Sequence, residues 1–319
     1  CGMTYLSTVI SDDRTNLPNL PGWVTSGRAE TLETVAFRSG VALAMLDQLV
    51  CDPRHGVPVK LLANRQALTA ATAISKLEGR LAREADIRDA YHLTPPGEAR
   101  GPDGDLLAFW REAVRSRAGD TGEIADLVGQ NFAGEVGVWL DAGQERARTH
   151  GPLAGCVAVL RSVLETDGRA ERIACLLSDV VLAQALNWKT VLPISAQRLT
   201  KASLRDLTAG GQGAELASQV RILESIEETI RLARDLAHRG EALRTVAPKL
   251  RAKGSAAAVA LFLTEDAVAP ASMLSPRIHG TSIPMTSRAA RRFCDRLVEL
   301  GVARELTGRP TFRLYGIAQ

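Results

Sequence analysis

The stretch 285–319, MTSRAARRFCDRLVELGVARELTGRPTFRLYGIAQ, decides how the rest of the chain is read. Thr286 or Ser287 can cap a helix there, because either side-chain oxygen can accept a free N–H of the first turn. Gly301 is the natural stop. With a turn every 3.6 residues or so, Ala289, Ala290, Phe293, Cys294, Leu297, Val298 and Leu300 share one face, and Arg288, Arg291, Arg292, Asp295, Arg296 and Glu299 share the other. Two alternating segments follow, 302–306 and 311–317, with Phe312 and Leu314 on one side of the second and Arg313 and Tyr315 on the other. Thr307-Gly308-Arg309-Pro310 joins them as a hairpin tip, in which Gly308 tolerates positive φ and Pro310 sits where no ladder N–H is needed.

Helix then basic-tipped hairpin is the outline of a winged helix, and charge placement argues the same way. From residue 251 onward there are ten Lys or Arg against five Asp or Glu, a local charge of +5. The whole chain carries only +3, so the preceding 250 residues carry −2. Within the helix the arginines come early and the acids late, which suits a recognition helix that presents its N-terminal half to the major groove. Arg288, Arg291, Arg292 and Arg296, with Ser287 at the cap, are the expected DNA contacts on the helix. Arg309 and Arg313 are those on the wing, and Lys253 and Arg251 are expected to hold phosphate at the junction. The alternative is a winged helix that docks protein, its arginines merely solvated.

An apolar fraction of 45% excludes a disordered chain, and 319 residues allow two domains. Aromatics are scarce at 4%, and Ala and Leu dominate, which favours close-packed helices over sheets. The five cysteines, Cys1, Cys51, Cys156, Cys175 and Cys294, show no C-x-x-C spacing, so neither zinc nor a disulfide framework is expected. No apolar run approaches the ~20 residues of a membrane span, and no signal peptide is evident. A cytoplasmic protein that binds no membrane is therefore expected. Cys1-Gly2 ahead of Met3 reads as an expression scar.

Residues 1–28 read as an irregular lead-in broken by Pro18 and Pro21, with Trp23 as an anchor onto the body. Residues 29–250 read as a helical body. Helical patterns run over 30–50, 58–79, 83–92, 105 onward, 135–150, 153–165 and 169–188, with the last the most apolar. The segment 94–104 is the longest irregular break. After Pro193 the pattern weakens to the glycine-rich break 210–213; a long helix then spans 214–239 and a short one 241–250. Leu216, Leu223, Ile230 and Ala237 recur every seven residues, which fits either burial in the bundle or a homodimer seam. Residues 251–319 form the winged-helix domain, with Ser255 capping a first helix over 256–263 and a second that Pro270, Pro276 and Pro284 make hard to place.

Several stretches together carry a family resemblance: Arg88-Asp89-Ala90-Tyr91 with Pro96-Gly97, Gly101-Pro102 with 107–111, the run 177–188, and Arg288 to Arg292 with 308–316. In these the chain resembles an uncharacterised alphaproteobacterial family, domain of unknown function 1403. The resemblance spans nearly the whole chain and implies a domain layout without implying an activity. The end segment alone also looks like the winged helix that follows the catalytic domain of many Fic-type AMP-transferring proteins. Their His-Pro-Phe, Gly-Asn and Arg signature is not in this sequence, so that activity is not carried over.

Elsewhere the chemistry is thin. Gly210-Gly211-Gln212-Gly213 follows no strand and lacks a Walker lysine, so it reads as a hinge. The five histidines have no i+3 or i+4 ligand partner, and no metal or cofactor is expected. His92 beside Arg88 and Asp89 reads as a structural polar cluster, with an active site there as the remote alternative. Asp179, in the most apolar helix, must find a partner or shift its pKa. The expectation is thus a mainly α protein, not an enzyme, in which a helical bundle precedes a C-terminal winged helix-turn-helix. Its expected partner is double-stranded DNA, bound sequence-specifically by a regulator or by the DNA-recruiting part of a DNA-processing complex. The runner-up is a scaffold or adaptor that docks another protein, or a second copy of itself, through the helical body.

Overall fold

The computed structural model describes residues 17–25, 31–95, 97–250, 253–309 and 311–318. A short α1 (Gly22–Thr25) precedes α2 (Leu32–Cys51), α3 (Val59–Leu77), α4 (Glu84–Leu93), α5 (Gly101–Ala113), α6 (Thr121–Val128) and α7 (Val136–His150). Then come α8 (Pro152–Thr166), α9 (Glu171–Ala185), α10 (Lys201–Thr208), α11 (Ala214–Val246), α12 (Ser255–Phe262) and α13 (Ser287–Glu299). Two short strands, β1 (Ala303–Glu305) and β2 (Tyr315–Ile317), pair antiparallel at the end. The chain is mainly helical, and one contiguous apolar core runs from Leu17 to Ile317.

Helices α7, α8 and α9 pack most closely, and two glycines set that distance. A Cβ on Gly155 would meet the Gly143 carbonyl oxygen at 2.6 Å, and one on Gly143 would meet a Val159 methyl at 2.4 Å. Helix α9 is buried almost all round, as its sequence requires. It stops at Ala185, three residues before the apolar pattern ends, because Asn187 turns left-handed (φ 55°). The Asn187 and Trp188 N–H groups then satisfy the carbonyls of Gln184 and Ala183, closing a Schellman motif. Trp188 Nε1 donates to Asp47 of α2 at 2.8 Å.

Asp179 has no cationic partner among the described residues. Its Oδ1 accepts from the Ile194 and Ser195 N–H groups (3.1 and 2.8 Å) and from Ser195 Oγ (2.7 Å), which ties α9 to the 191–196 segment. Ser195 spends its only hydrogen there, so Ser178 Oγ donates to Ser195 at 2.8 Å. Burial pushes the Asp179 carboxyl up to about 7, against the pull of the Ser195 and Ile194 donors.

Several boundaries differ from the sequence pattern. Helix α5 begins at Gly101, not at Asp105, because Pro102 fits a first turn, where no N–H is required. Two short helices escape a periodicity search because each is defined by its cap: α6 by Asp120, which accepts from the Glu123 N–H, and α10 by a Thr200–Ser203 capping box. The two helices expected over 214–250 are one, since Gly240 lies inside α11 and lets Leu263 and Pro58 approach. Of its four heptad residues, Leu223, Ile230 and Ala237 are buried within the single chain and Leu216 is half-buried. Trp23 stays 67% exposed beside Phe37, while Val24 makes the anchoring contact. Helix α2, 20 residues long with a mean hydropathy of 1.3, does have the length and apolarity of a membrane span. It lies against α11 and joins it through Arg38 and Glu227 at 2.7 Å.

Two outcomes are expected. Gly155→Ala should lower stability by about 1–3 kcal/mol in urea unfolding, because its methyl group meets backbone; an unchanged midpoint would mean that α7 and α8 are not in contact there. For Asp179, the folded chain holds a proton that the unfolded chain loses above its ordinary value of 3.8. Its contribution is therefore full below that value and is lost as pH rises through about 7. Asp179→Asn should thus raise the melting temperature more at pH 8 than at pH 4, and the reverse order would contradict the assignment.

Candidate nucleic-acid interface

Helix α13 is built from its ends. Thr286 Oγ1 accepts from the Ala289 N–H at 3.3 Å, so the cap falls on Thr286, and Ser287 Oγ instead shares a hydrogen bond with Ser275 Oγ at 3.0 Å. At the other end Gly301 (φ 70°) closes a Schellman motif, its N–H going to Val298 and that of Val302 to Leu297. Ala290, Phe293, Cys294 and Leu297 are buried, with the Phe293 ring against Phe262 of α12 at 6.3 Å. Val298, expected on that face, is 40% exposed at its rim. Arg288, Arg291, Arg292 and Arg296 are all exposed.

Arg288, Arg292 and Arg296 line one side of a groove of about 660 Å³. Lys249, in the 3₁₀ turn Ala247–Lys249 that follows α11, lines it too, and Leu250, Phe293, Ala289 and Thr286 complete the wall. Among the described residues that line it there is no carboxylate. Lys249, Arg288 and Arg292 have no ion pair among the described residues. Arg296 meets Glu299 at 2.9 Å, an exposed pair that holds its cation weakly. Arg291 bends back, Nε to the Ser287 carbonyl at 3.4 Å.

The hairpin is arranged differently. The β1–β2 ladder extends by one bond, Leu306 N–H to the Leu314 carbonyl at 2.8 Å, and then gives way to a loop. Phe312 is left-handed (φ 57°) and 72% exposed, whereas Leu314 is fully buried. The expected alternation therefore fails, and Phe312 and Leu314 do not share a face. Arg309 lies 3.4 Å from Asp89 of α4, and Arg313 lies 3.7 Å from Glu305. Arg88 clamps the same region, donating to Asp89 Oδ1 at 2.7 Å and to the Leu306 carbonyl at 3.2 Å. Lys253 is exposed just ahead of α12, whose N-cap is Gly254; Ser255, expected to be the cap, is the first helical residue and donates to the Leu250 carbonyl. Arg251 and Pro310 lie outside the described residues. The structure thus brings Arg288, Arg292 and Arg296 into one groove and leaves Arg291, Arg309, Arg313, Lys253 and Ser287 out of it. Lys249 was missed because one lysine in a proline turn carries no pattern; only the fold brings it beside α13.

A buried ionic network sets this geometry. Asp266 accepts from Arg111 Nη1 at 2.7 Å and from His92 Nε2 at 3.2 Å, and Glu265 takes the other Arg111 nitrogen. The side chains of Arg111, Asp266 and His92 are all under 5% exposed. Tyr91 stands edge-on to His92, with the guanidinium groups of Arg100 and Arg111 over its ring at 5.1 and 5.4 Å. The polar cluster expected of Arg88, Asp89 and His92 is therefore two: Arg88 and Asp89 hold the hairpin loop, and His92 holds Asp266. Burial opposes ionisation of Asp266, but the His92 ring, and after it Arg111, outweigh burial and hold the carboxyl down to about 2.

Fold and site together define a mainly α-helical protein with a cationic groove beside its C-terminal helix. Residues 8–317 match the family described as protein of unknown function (DUF1403), and the chain belongs to that family. No curated protein matches it. Of the stretches that carry the likeness in sequence, 88–91, 107–111 and the described part of 308–316 converge on the buried network and the hairpin loop.

Asp266→Asn should cost about 3–5 kcal/mol at pH 7, because it leaves Arg111 buried without its full counter-charge. The carboxyl is depressed, so its contribution is present above the ordinary value of 3.8 and is lost as pH falls through about 2. The gap between wild type and variant in chemical unfolding should narrow on acidification, and a constant gap would rule out the charge network as its source.

Proposed function

We propose that the chain is a DNA-binding protein whose C-terminal segment is a winged helix, acting as a regulator or as the DNA-recruiting part of a larger complex. The order of elements supports the winged-helix reading: α12, an extended residue Val268 bridged antiparallel to Tyr315, a π-type turn at Pro270–Leu274, α13, then β1 and β2. The second helix of the motif is reduced to that single turn, which accounts for its faint signature in sequence. The observation that carries the proposal is the groove in which Lys249, Arg288, Arg292 and Arg296 stand together with no carboxylate among the described residues that line it. Lys249, Arg288 and Arg292 have no acid partner among the described residues and Arg296 has only the exposed Glu299, and exposed cations so placed attract polyanions, which makes them the footprint of a nucleic-acid site.

A second reading, docking of a protein through the hairpin, draws support from one feature: its cations face Asp89 and Glu305, while Phe312 lies open to solvent. A stable protein complex that survives nuclease treatment and is lost on Phe312→Ala would favour it.

Titration of duplex DNA at several salt concentrations tests the first reading. Affinity should fall with salt, and Arg288→Ala/Arg292→Ala should bind more weakly, with a slope of log K against log salt shallower by about 2. Unchanged binding by a folded double variant would remove α13 from the interface.

A further inference from the structure

We infer that the groove between Lys249 and α13 seats a single phosphodiester backbone, contacting successive phosphates of one nucleic-acid strand without reading its bases. The inference rests on the DNA-binding reading and departs from the expectation of sequence specificity.

Three observations carry it. Arg288, Arg292 and Arg296 are spaced i, i+4, i+8, which at about 1.5 Å rise per residue puts their attachment points about 6 Å apart along the helix. That is close to the step between successive phosphates on a strand, and all three side chains line the same groove. The second observation is shape. A recognition helix reads bases as a convex rod that enters the DNA major groove. Here Arg288, Arg292 and Arg296 of α13 line a groove to which Lys249 and Leu250, from the turn after α11, also contribute. A cleft admits a ridge, and the ridge a nucleic acid offers is its sugar-phosphate backbone. The third is the chemistry of the lining: the described residues there are four cations, Thr286 and apolar groups, with no Asn, Gln, Asp or Glu to pair with adenine or cytosine, so guanine is the one base edge its cations pair with. Thr286 Oγ1 is itself engaged by the Ala289 N–H. Contacts from arginine and lysine to phosphate position a nucleic acid and carry no sequence information.

The hairpin does not supply the missing readout. Arg309 is turned to Asp89, and Arg313 to Glu305. A second strand brought to that side would meet carboxylates held in place by Arg88 and by the β1 strand.

The test uses the full chain and fluorescence anisotropy with four labelled probes: two duplexes of equal length and unrelated base order, and one separated strand of each. The two duplexes should bind equally, with a salt slope of about −3.6, corresponding to four phosphate contacts at about −0.9 each. The two strands should also bind equally to one another, with a slope of about −2.8 at about −0.7 per contact. Lys249→Ala and Arg292→Ala should each make the slope shallower by about 1, and Arg309→Ala should leave it unchanged. All three side chains are exposed, and a matching melting temperature confirms that each variant is folded. A preference for one duplex that disappears in Arg292→Ala would overturn the inference while leaving DNA binding intact, as would a slope that responds to Arg309→Ala and ignores Lys249→Ala. Failure of the folded wild-type chain to bind any probe would overturn the DNA-binding reading itself.

Discussion

A carboxylate buried beneath two helices governs where the C-terminal segment sits. Asp266 follows α12 in the chain, yet its oxygen is held by Arg111 from α5 and His92 from α4. A guanidinium and a carboxylate removed from water are tolerable only when each satisfies the other, and breaking one side strands the other. Glu265 takes the second Arg111 nitrogen, and the Tyr91 ring lies against the guanidinium. Neighbouring hydrogen bonds reinforce this network. Asn64 holds the Thr264 carbonyl at 2.7 Å, Arg65 reaches the Ile317 carbonyl at 3.2 Å, and the Ala318 carbonyl is held by Arg239 of α11.

The rest of the surface follows from that docking. With 264–266 fixed against α3, α4 and α5, and β2 fixed against α11, the hairpin loop falls on α4 and Arg309 finds Asp89. Helix α13 packs its apolar stripe on the Pro270–Leu274 turn and β1, with Phe293 beside Phe262 of α12, while Arg288 and Arg292 keep no ion pair among the described residues and share a groove with Lys249. The charge of +5 written into the last 69 residues is thereby divided in two. Arg309 and Arg313 of the hairpin face acids, while Arg288, Arg292 and Arg296 of the helix line a groove with no carboxylate among its described residues. The electrostatic consequence of a residue depends on what the fold sets against it, and burial or a counter-charge a few ångströms away outweighs the formal count.

Much of the fold was legible in sequence for a physical reason that applies element by element. In α13 the apolar and charged residues separate at helical spacing, Thr286 caps, and Gly301 stops the helix, so local and tertiary demands agree. The same holds for α2, α3, α7, α8 and the first part of α11. What was missed lies where a local signal competes with the fold. Pro102 reads as a breaker and serves as a helix start. Gly240 reads as a terminus and serves as a contact point for Leu263. Phe312 fits an alternating strand, yet its backbone turns left-handed and the ring stays in solvent.

By itself the sequence determined that the chain is mainly helical, that its end carries an amphipathic helix with arginines on one side, and that two short extended segments follow. These depend on periodicity and caps, which act over a few residues. Only the tertiary structure decided which arginines are free. The partners that neutralise Arg309 and the lysine that joins Arg292 lie far off in the chain, at Asp89 and Lys249, and no spacing rule links residues that meet only when the core closes.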